Sequence, residues 1–86
     1  MLKVSQKWWV YIVECADNTL YTGISTDVLS RIETHNAGKG AKYTKVRLPV
    51  CLKYSEPAES KSLALKREFE IKKLSRLQKQ ELCKRK

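Results

Sequence analysis

The sequence predicts a small α/β domain of the α+β type, in which a three-stranded antiparallel sheet is flanked by helices in the order β-β-α-β-α-α. Two runs rich in aromatic and β-branched residues, 8–15 and 20–24, lie on either side of the turn sequence ADNT. A third such run, PVCLKYS, follows one helical segment and precedes two more. A chain of 86 residues has room for one modest core, so we expect a single domain spanning 1–86.

The register of the first hairpin decides where its tyrosines point. If Asp17 and Asn18 form a two-residue loop, Tyr11 and Tyr21 project from opposite faces of the sheet. If Asn18 adopts the left-handed conformation within a three-residue loop, Val13 faces Tyr21 and both phenols share one face. Because asparagine tolerates that conformation better than most residues, we favour the second register.

The helix after the hairpin is expected over about residues 26–36. Ser25 or Thr26 would be its cap, and Asp27 in the first turn would interact favourably with the helix dipole. Its apolar stripe is formed by Val28, Leu29 and Ile32, with Arg31 and His35 along one edge.

The second half of the chain supplies the remaining elements. Ser75 and Gln78 form a capping box, which predicts the start of a short terminal helix. In order, we expect a basic loop to Pro49, a strand over 49–55, a turn over 55–59, a helix to about Lys73, the short helix and a frayed basic tail at about 84–86.

The net charge of +9 is concentrated in the second half, since residues 1–43 carry +1 and residues 44–86 carry +8. Such a field attracts polyanions, of which nucleic acid is the commonest, although a lysine-rich face is often only a solvated face. The longest apolar run is too short to cross a bilayer and no signal-peptide pattern precedes it. We therefore expect a cytoplasmic protein that does not bind membranes, with its three widely spaced cysteines reduced.

Glu68 stands out on the longer helix. On a helical wheel it falls between two apolar sectors, of which the first holds Leu63, Ala64, Ile71 and Leu74 and the second holds Leu65 and Phe69. A partly buried carboxylate needs a partner, which could be a hard cation such as Mg²⁺ or, alternatively, an arginine or lysine. Glu70 projects elsewhere, toward Lys66 and Lys73, as an ordinary surface charge.

The hairpin resembles the signature of the GIY-YIG nuclease family, with Val10-Tyr11-Ile12 for the first triplet and Tyr21-Thr22-Gly23 for the second. Arg31 and His35 follow on the next helix, and Glu68 lies on the later one. The resemblance covers essentially the whole chain. It is closest to the small single-domain bacterial members, which share VYI…EC, LYTG and HN.GKGAKYT with this sequence.

This resemblance implies metal-assisted hydrolysis of a phosphodiester, with Tyr11, Tyr21, Arg31, His35 and Glu68 as catalytic residues and one Mg²⁺ or Mn²⁺ ion on Glu68. The planar guanidinium of Arg31 suits a phosphate, whereas its alternative role is a surface ion pair with Asp27 or Glu33. Either Tyr11 or His35 could be the general base. Tyr21 could position water or a phosphate oxygen, or could simply fill the core.

The expected substrate is DNA or a structured nucleic acid. The basic loop would contact it, and a separate protein could supply substrate recognition. Two alternatives remain: a nucleic-acid-binding module with little or no catalysis, and a basic adaptor for an acidic protein or an anionic membrane. The loop residues proposed to bind the nucleic acid are Lys39, Lys42, Lys45 and Arg47, together with Tyr43, which could stack on a base.

Overall fold

The computed structural model describes residues 7–85 and confirms the predicted fold class. The elements are β1 (Trp8–Glu14), β2 (Leu20–Ser25), α1 (Val28–Asn36), α2 (Lys42–Lys45), β3 (Cys51–Ala58), α3 (Lys61–Lys72) and α4 (Arg76–Cys83). The sheet has the strand order β2-β1-β3, and both neighbouring pairs are antiparallel. The short helix α2 lies within the predicted basic loop.

The hairpin adopts the favoured register. Val13 pairs with Tyr21 and Tyr11 pairs with Gly23, so both phenols project from the same face of the sheet. Asn18 has a φ of 69°, which is the left-handed conformation that the three-residue loop requires. The prediction that the tyrosines share a face is confirmed.

The central strand β1 separates two hydrophobic clusters, because its side chains alternate between the two faces of the sheet. Helices α3 and α4 cover one face, and α1 with the segment before β3 covers the other. The first cluster contains Val10, Ile12, Ala64, Ile71 and Leu82, and the second contains Tyr11, Val13, Cys15 and Val50.

The start of α1 differs from the prediction. Asp27 is itself the N-cap, and its carboxylate accepts a hydrogen bond from the Ser30 N–H at 3.1 Å. Ser25 is still part of β2, and its hydroxyl accepts from the Asp27 N–H at 3.0 Å, so the assignment of Ser25 or Thr26 as the cap is wrong. Leu29 is also not part of the apolar stripe, because its side chain is 73% exposed.

The third strand begins at Cys51 and ends at Ala58, so both of its ends lie two to three residues later than in the predicted strand 49–55. Pairing with β1 continues to Ala58, opposite Trp8, so residues 55–58 belong to the strand and not to the turn expected over 55–59. Ser60 then caps α3, with its hydroxyl accepting from the Leu63 N–H at 3.2 Å.

The capping box of α4 is confirmed. The Ser75 hydroxyl accepts from the Gln78 N–H at 3.1 Å, and the Gln78 side chain accepts from the Ser75 N–H at 2.9 Å. Helix α4 ends at Cys83, and of the predicted tail at 84–86 the residue Lys86 lies outside the described residues.

The three cysteines are free thiols, of which Cys15 is buried, Cys51 is exposed and Cys83 is half-buried. No helix within residues 7–85 has the length and apolarity needed to span a membrane.

Candidate active site

Tyr11 lies at the centre of the site, on the middle strand, and only 1% of its surface is exposed. Its ring passes over Gly23 of β2. A Cβ at Gly23 would lie 2.6 Å from the Tyr11 hydroxyl oxygen, which is closer than such atoms approach. The second triplet therefore needs its glycine so that the phenol can lie across β2.

His35 forms a buried hydrogen-bonded chain with Tyr11 and Thr44. The His35 Nε2 atom lies 2.9 Å from the Tyr11 hydroxyl, and Nδ1 lies 2.8 Å from the Thr44 hydroxyl. The Thr44 hydroxyl donates its proton to the Ala41 carbonyl at 3.0 Å, so it must accept from the Nδ1–H of His35. His35 is therefore the Nδ1–H tautomer, and its Nε2 accepts the proton of the Tyr11 hydroxyl.

Burial shifts the pKa values of Tyr11 and His35. It raises the pKa of Tyr11 above its usual value near 10, although the Arg31 guanidinium opposes the shift. Burial, aided by the positive charge of Arg31, lowers the pKa of His35 below its usual value. At neutral pH the site therefore holds a protonated phenol and a neutral imidazole.

Gly40 packs directly against the His35 ring, because a Cβ at this position would collide with Nδ1 and the neighbouring ring carbons. Gly40→Ala should therefore displace His35 and destabilise the fold by about 1–3 kcal/mol, the usual cost of overpacking. Gly38→Ala is the matched control. It is strained by its φ of 79°, but nothing lies within 4 Å of the added methyl.

Both glycine variants can be compared by urea unfolding and by the NMR signals of the His35 ring. We expect Gly38→Ala to lose stability with the ring signals unchanged, whereas Gly40→Ala should change both. Unchanged ring signals in Gly40→Ala would contradict the close packing.

Arg31 lies on α1 one turn before His35, and it is half-buried. The alternative ion pairs with Asp27 and Glu33 are absent: among residues 7–85, no carboxylate lies within 4.0 Å of the Arg31 side-chain nitrogens. Its charge acts instead on the Tyr11–His35 pair. The guanidinium is thus available to an anion in front of Tyr11.

Tyr21 contributes a second ring on the same face. Its centroid lies 5.6 Å from that of His35 in an edge-on arrangement and 5.8 Å from that of Tyr43 in a stacked one. These contacts hold the half-buried ring beside the hydrogen-bonded chain.

Glu68 lies at the border of the site. It follows the buried Ala64 by four residues and precedes the buried Ile71 by three, so it shares their face of α3, and its side chain is only 18% exposed. Its negative charge acts to raise the pKa of Tyr11, so it lies within electrostatic reach of the phenol. The prediction of a second apolar sector is wrong, since Leu65 and Phe69 are 46% and 62% exposed. Leu63 was also wrongly placed in the first sector, because it is 49% exposed.

The two glutamates of α3 have different partners. Glu68 pairs with Lys72 at 3.3 Å, which is the lysine alternative. Glu70 pairs with Arg67 at 3.4 Å rather than with Lys66 or Lys73, so its predicted partners are wrong, although its side chain is 51% exposed as expected of a surface charge.

The donor set at the site suits one weakly held divalent cation. No group of three or more histidines, cysteines or carboxylates that could hold a metal ion occurs within residues 7–85. Glu68 alone matches the habit of Mg²⁺, which binds one or two carboxylates and completes its octahedron with water and substrate phosphate. The residues present therefore fit an ion held jointly by Glu68 and the substrate.

In the basic loop, the lysine side chains are exposed, whereas Arg47 and Tyr43 contact other residues of the protein. Lys39, Lys42 and Lys45 are exposed. Arg47 instead pairs with Asp17 at 3.0 Å, donates to the Tyr43 carbonyl at 2.8 Å and lies 3.9 Å from the centre of the Tyr43 ring. Because Tyr43 also stacks on Tyr21, a nucleobase would have to displace an intramolecular partner in order to stack on it.

The positioning roles of Thr44, Gly40 and Gly23 were not predicted from the sequence. Thr44 and Gly40 belong to the GKGAKYT segment, which we interpreted as a basic loop and as part of the family resemblance, without a role for either residue, and Gly23 closes the second triplet. A buried threonine in a basic loop could have been suspected only from the need of a buried histidine for two partners.

Comparison with known proteins identifies the family of this chain. Residues 7–81 match the model of the GIY-YIG catalytic domain. A UPF0213 protein from Staphylococcus haemolyticus is 64% identical over 73 residues, which are 85% of this chain and 89% of the relative. One from Halobacterium salinarum is 56% identical over 73 residues, which are 85% of this chain and 95% of the relative.

Two solved structures are also similar, and both were determined by solution NMR. A UPF0213 protein from Bacillus halodurans is 47% identical with a TM-score of 0.56, and the match covers 88% of this chain and 81% of that one. A protein from E. faecalis is 35% identical with a TM-score of 0.62, with coverages of 96% and 88%.

The antiparallel sheet and its flanking helices thus carry a GIY-YIG catalytic domain, a class of domain typical of nucleases. The chain belongs to the GIY-YIG family, as the match over residues 7–81 and the UPF0213 relatives show.

Proposed function

We propose that the protein is a metal-dependent endonuclease that hydrolyses phosphodiester bonds of DNA or of a structured nucleic acid. The observation that carries this proposal is the buried chain from Tyr11 through His35 to Thr44. A purely structural tyrosine needs a hydroxyl partner, but it does not need a neutral imidazole whose acceptor nitrogen faces the hydroxyl.

The hydrogen-bonded chain from Tyr11 to Thr44 supports a proton relay, in which both candidate general bases, Tyr11 and His35, would have a role. Because the pKa of Tyr11 is raised, a standing tyrosinate is disfavoured. The hydroxyl oxygen of Tyr11 can take a proton from the attacking water while its own proton passes to His35 Nε2. Thr44 keeps Nδ1 protonated, so that Nε2 remains the acceptor.

Arg31 and Glu68 complete the proposed site. Arg31 would bind the phosphate oxygens through its planar guanidinium and stabilise the charge that grows on them. Glu68 would hold one Mg²⁺ or Mn²⁺ ion, which when bound supplies a further positive charge beside the phosphate. The exposed lysines of the loop, Lys39, Lys42 and Lys45, would contact the nucleic-acid backbone.

The test is an incubation of the purified protein with single-stranded, duplex, flapped and branched DNA, with Mg²⁺, with Mn²⁺ and with chelator. We expect metal-dependent cleavage of at least one substrate. Salt-sensitive binding without cleavage would favour a binding module, and failure to bind any nucleic acid at low salt would favour a basic adaptor.

The relay predicts how cleavage depends on pH. Protonated His35 cannot accept the Tyr11 proton, and the pKa of His35 lies below its ordinary value of about 6.5. The pH at which the cleavage rate falls to half its maximum should therefore lie below about 6.5. A midpoint above this value would contradict a neutral, buried His35.

The free energy of unfolding should also depend on the protonation of His35. The unfolded chain protonates His35 near pH 6.5, whereas the folded chain resists protonation to lower pH, so the unfolded state binds more protons between these values. The contribution of neutral His35 to folding stability is complete above about pH 6.5. It is lost as the pH falls from this value through the lower pKa of folded His35. Urea unfolding of the wild type and His35→Gln at several pH values isolates it, because the variant should lack this part of the pH dependence.

A further inference from the structure

Lys72 brings a positive charge to the place where the proposed function needs one. It follows Glu68 by one helical turn, and its ammonium nitrogen lies 3.3 Å from the Glu68 Oε2 atom. The same nitrogen lies 6.0 Å from the centre of the Tyr21 ring. Lys72 therefore contacts both the candidate metal ligand and one of the two site tyrosines.

The burial of the pair shows which partner depends on the other. The side chain of Glu68 is 18% exposed and that of Lys72 is 50% exposed. A largely desolvated carboxylate needs a counter-charge, and Lys72 is its only ion-pair partner among residues 7–85. The flexible stem of a lysine allows its ammonium to leave for solvent at little cost.

We propose that Lys72 is a displaceable cation, which neutralises Glu68 in the metal-free protein and must leave this carboxylate before a divalent ion can bind. This inference rests on the proposed function, in which Glu68 holds the ion. A cation that enters the site must break the Lys72–Glu68 pair, so the pair weakens the affinity for metal. Lys72 is thereby a positioning residue that sets when the site is loaded.

The displaced ammonium then has a second partner. A substrate phosphate in front of Tyr21 would attract it, because an ammonium and a phosphate form a strong charge-assisted hydrogen bond. The same phosphate would add oxygen ligands for the ion on Glu68. Metal and nucleic acid should therefore strengthen each other's binding, which limits loading of the site in the absence of substrate.

The test measures metal binding without nucleic acid, by loss of the free Mn²⁺ electron paramagnetic resonance signal during titration. Four proteins are compared: the wild type, Lys72→Gln, Lys73→Gln and Glu68→Gln. Lys73→Gln is the matched control because it removes the same charge from the adjacent position, where the ammonium contacts the Phe69 ring at 4.6 Å. Circular dichroism checks that each variant is folded.

We expect Lys72→Gln to bind Mn²⁺ about two- to fivefold more tightly than the wild type, as when one surface ion pair no longer has to be broken. Lys73→Gln should stay close to the wild type, and Glu68→Gln should lose the site. Equal affinity of Lys72→Gln and the wild type, or an equal gain in both lysine variants, would overturn the inference while Glu68→Gln still fails to bind. Wild-type binding by Glu68→Gln would instead remove the metal role of Glu68, and with it the proposed function in its present form.

Discussion

Tyr11→Phe should reduce cleavage by about 10²- to 10⁴-fold, the usual contribution of a positioned acid–base group, while the fold is retained. Phenylalanine keeps the ring that packs over Gly23, so the strand pairing is undisturbed. The lost hydroxyl is the only group that connects a water in front of the sheet to His35 Nε2 in the proposed relay. Cleavage rates under single-turnover conditions measure the loss.

Some stability should also be lost in Tyr11→Phe, because the buried Nε2 acceptor of His35 is left without its donor. The expected cost is about 1–3 kcal/mol. Tyr54→Phe is the matched control: it also removes a hydroxyl that hydrogen-bonds within the sheet region, here to Glu56 at 2.5 Å. Tyr54 packs on the opposite cluster, so its variant should cleave at the wild-type rate. Equal rates for Tyr11→Phe and the wild type would end the proposed role of the phenol.

Glu68→Ala should eliminate Mg²⁺-dependent cleavage and preserve much of the affinity for nucleic acid. The affinity is expected to come mainly from the basic second half, whose charge of +8 hardly depends on one carboxylate. The catalytic loss is expected because Glu68 is the carboxylate that shares the buried face of α3 and lies within electrostatic reach of Tyr11.

Glu70→Ala provides the comparison on the same helix. Its carboxylate pairs with Arg67 at the surface, so its removal should leave cleavage nearly unchanged and alter stability by no more than about 0.5 kcal/mol. Both variants should be assayed across a Mg²⁺ titration. If Glu70→Ala is the inactive one, the assignment of the ligand is wrong; if both remain active, no carboxylate of α3 holds the ion.

Local sequence patterns predicted the elements and the hairpin register well. The density of aromatic and β-branched residues defined β1, and Asn18 in its short loop selected the register that places both phenols on one face. The capping box at Ser75 likewise located α4, because its hydrogen bonds are made within four residues of sequence.

Contacts between distant segments could not be predicted in the same way. Thr44, which hydrogen-bonds to His35 Nδ1, lies in a segment that has little hydrophobic periodicity. Arg47 pairs with Asp17, which lies thirty positions away in the sequence. Helical phase alone also misassigned Leu63, Leu65 and Phe69, because a wheel shows which residues share a face but not whether another element covers that face.

The proposed relay requires that His35 is a neutral imidazole whose Nε2 accepts the Tyr11 hydroxyl proton. The ¹⁵N NMR signals of the imidazole test it directly, and because the chain contains a single histidine they need no assignment. At pH 7 we expect the wild type to have a protonated Nδ1 and an unprotonated Nε2 that accepts a hydrogen bond. In Tyr11→Phe, the comparison variant, we expect the Nε2 signal to move toward that of a free acceptor. A protonated Nε2, or an imidazolium at this pH, would contradict the relay.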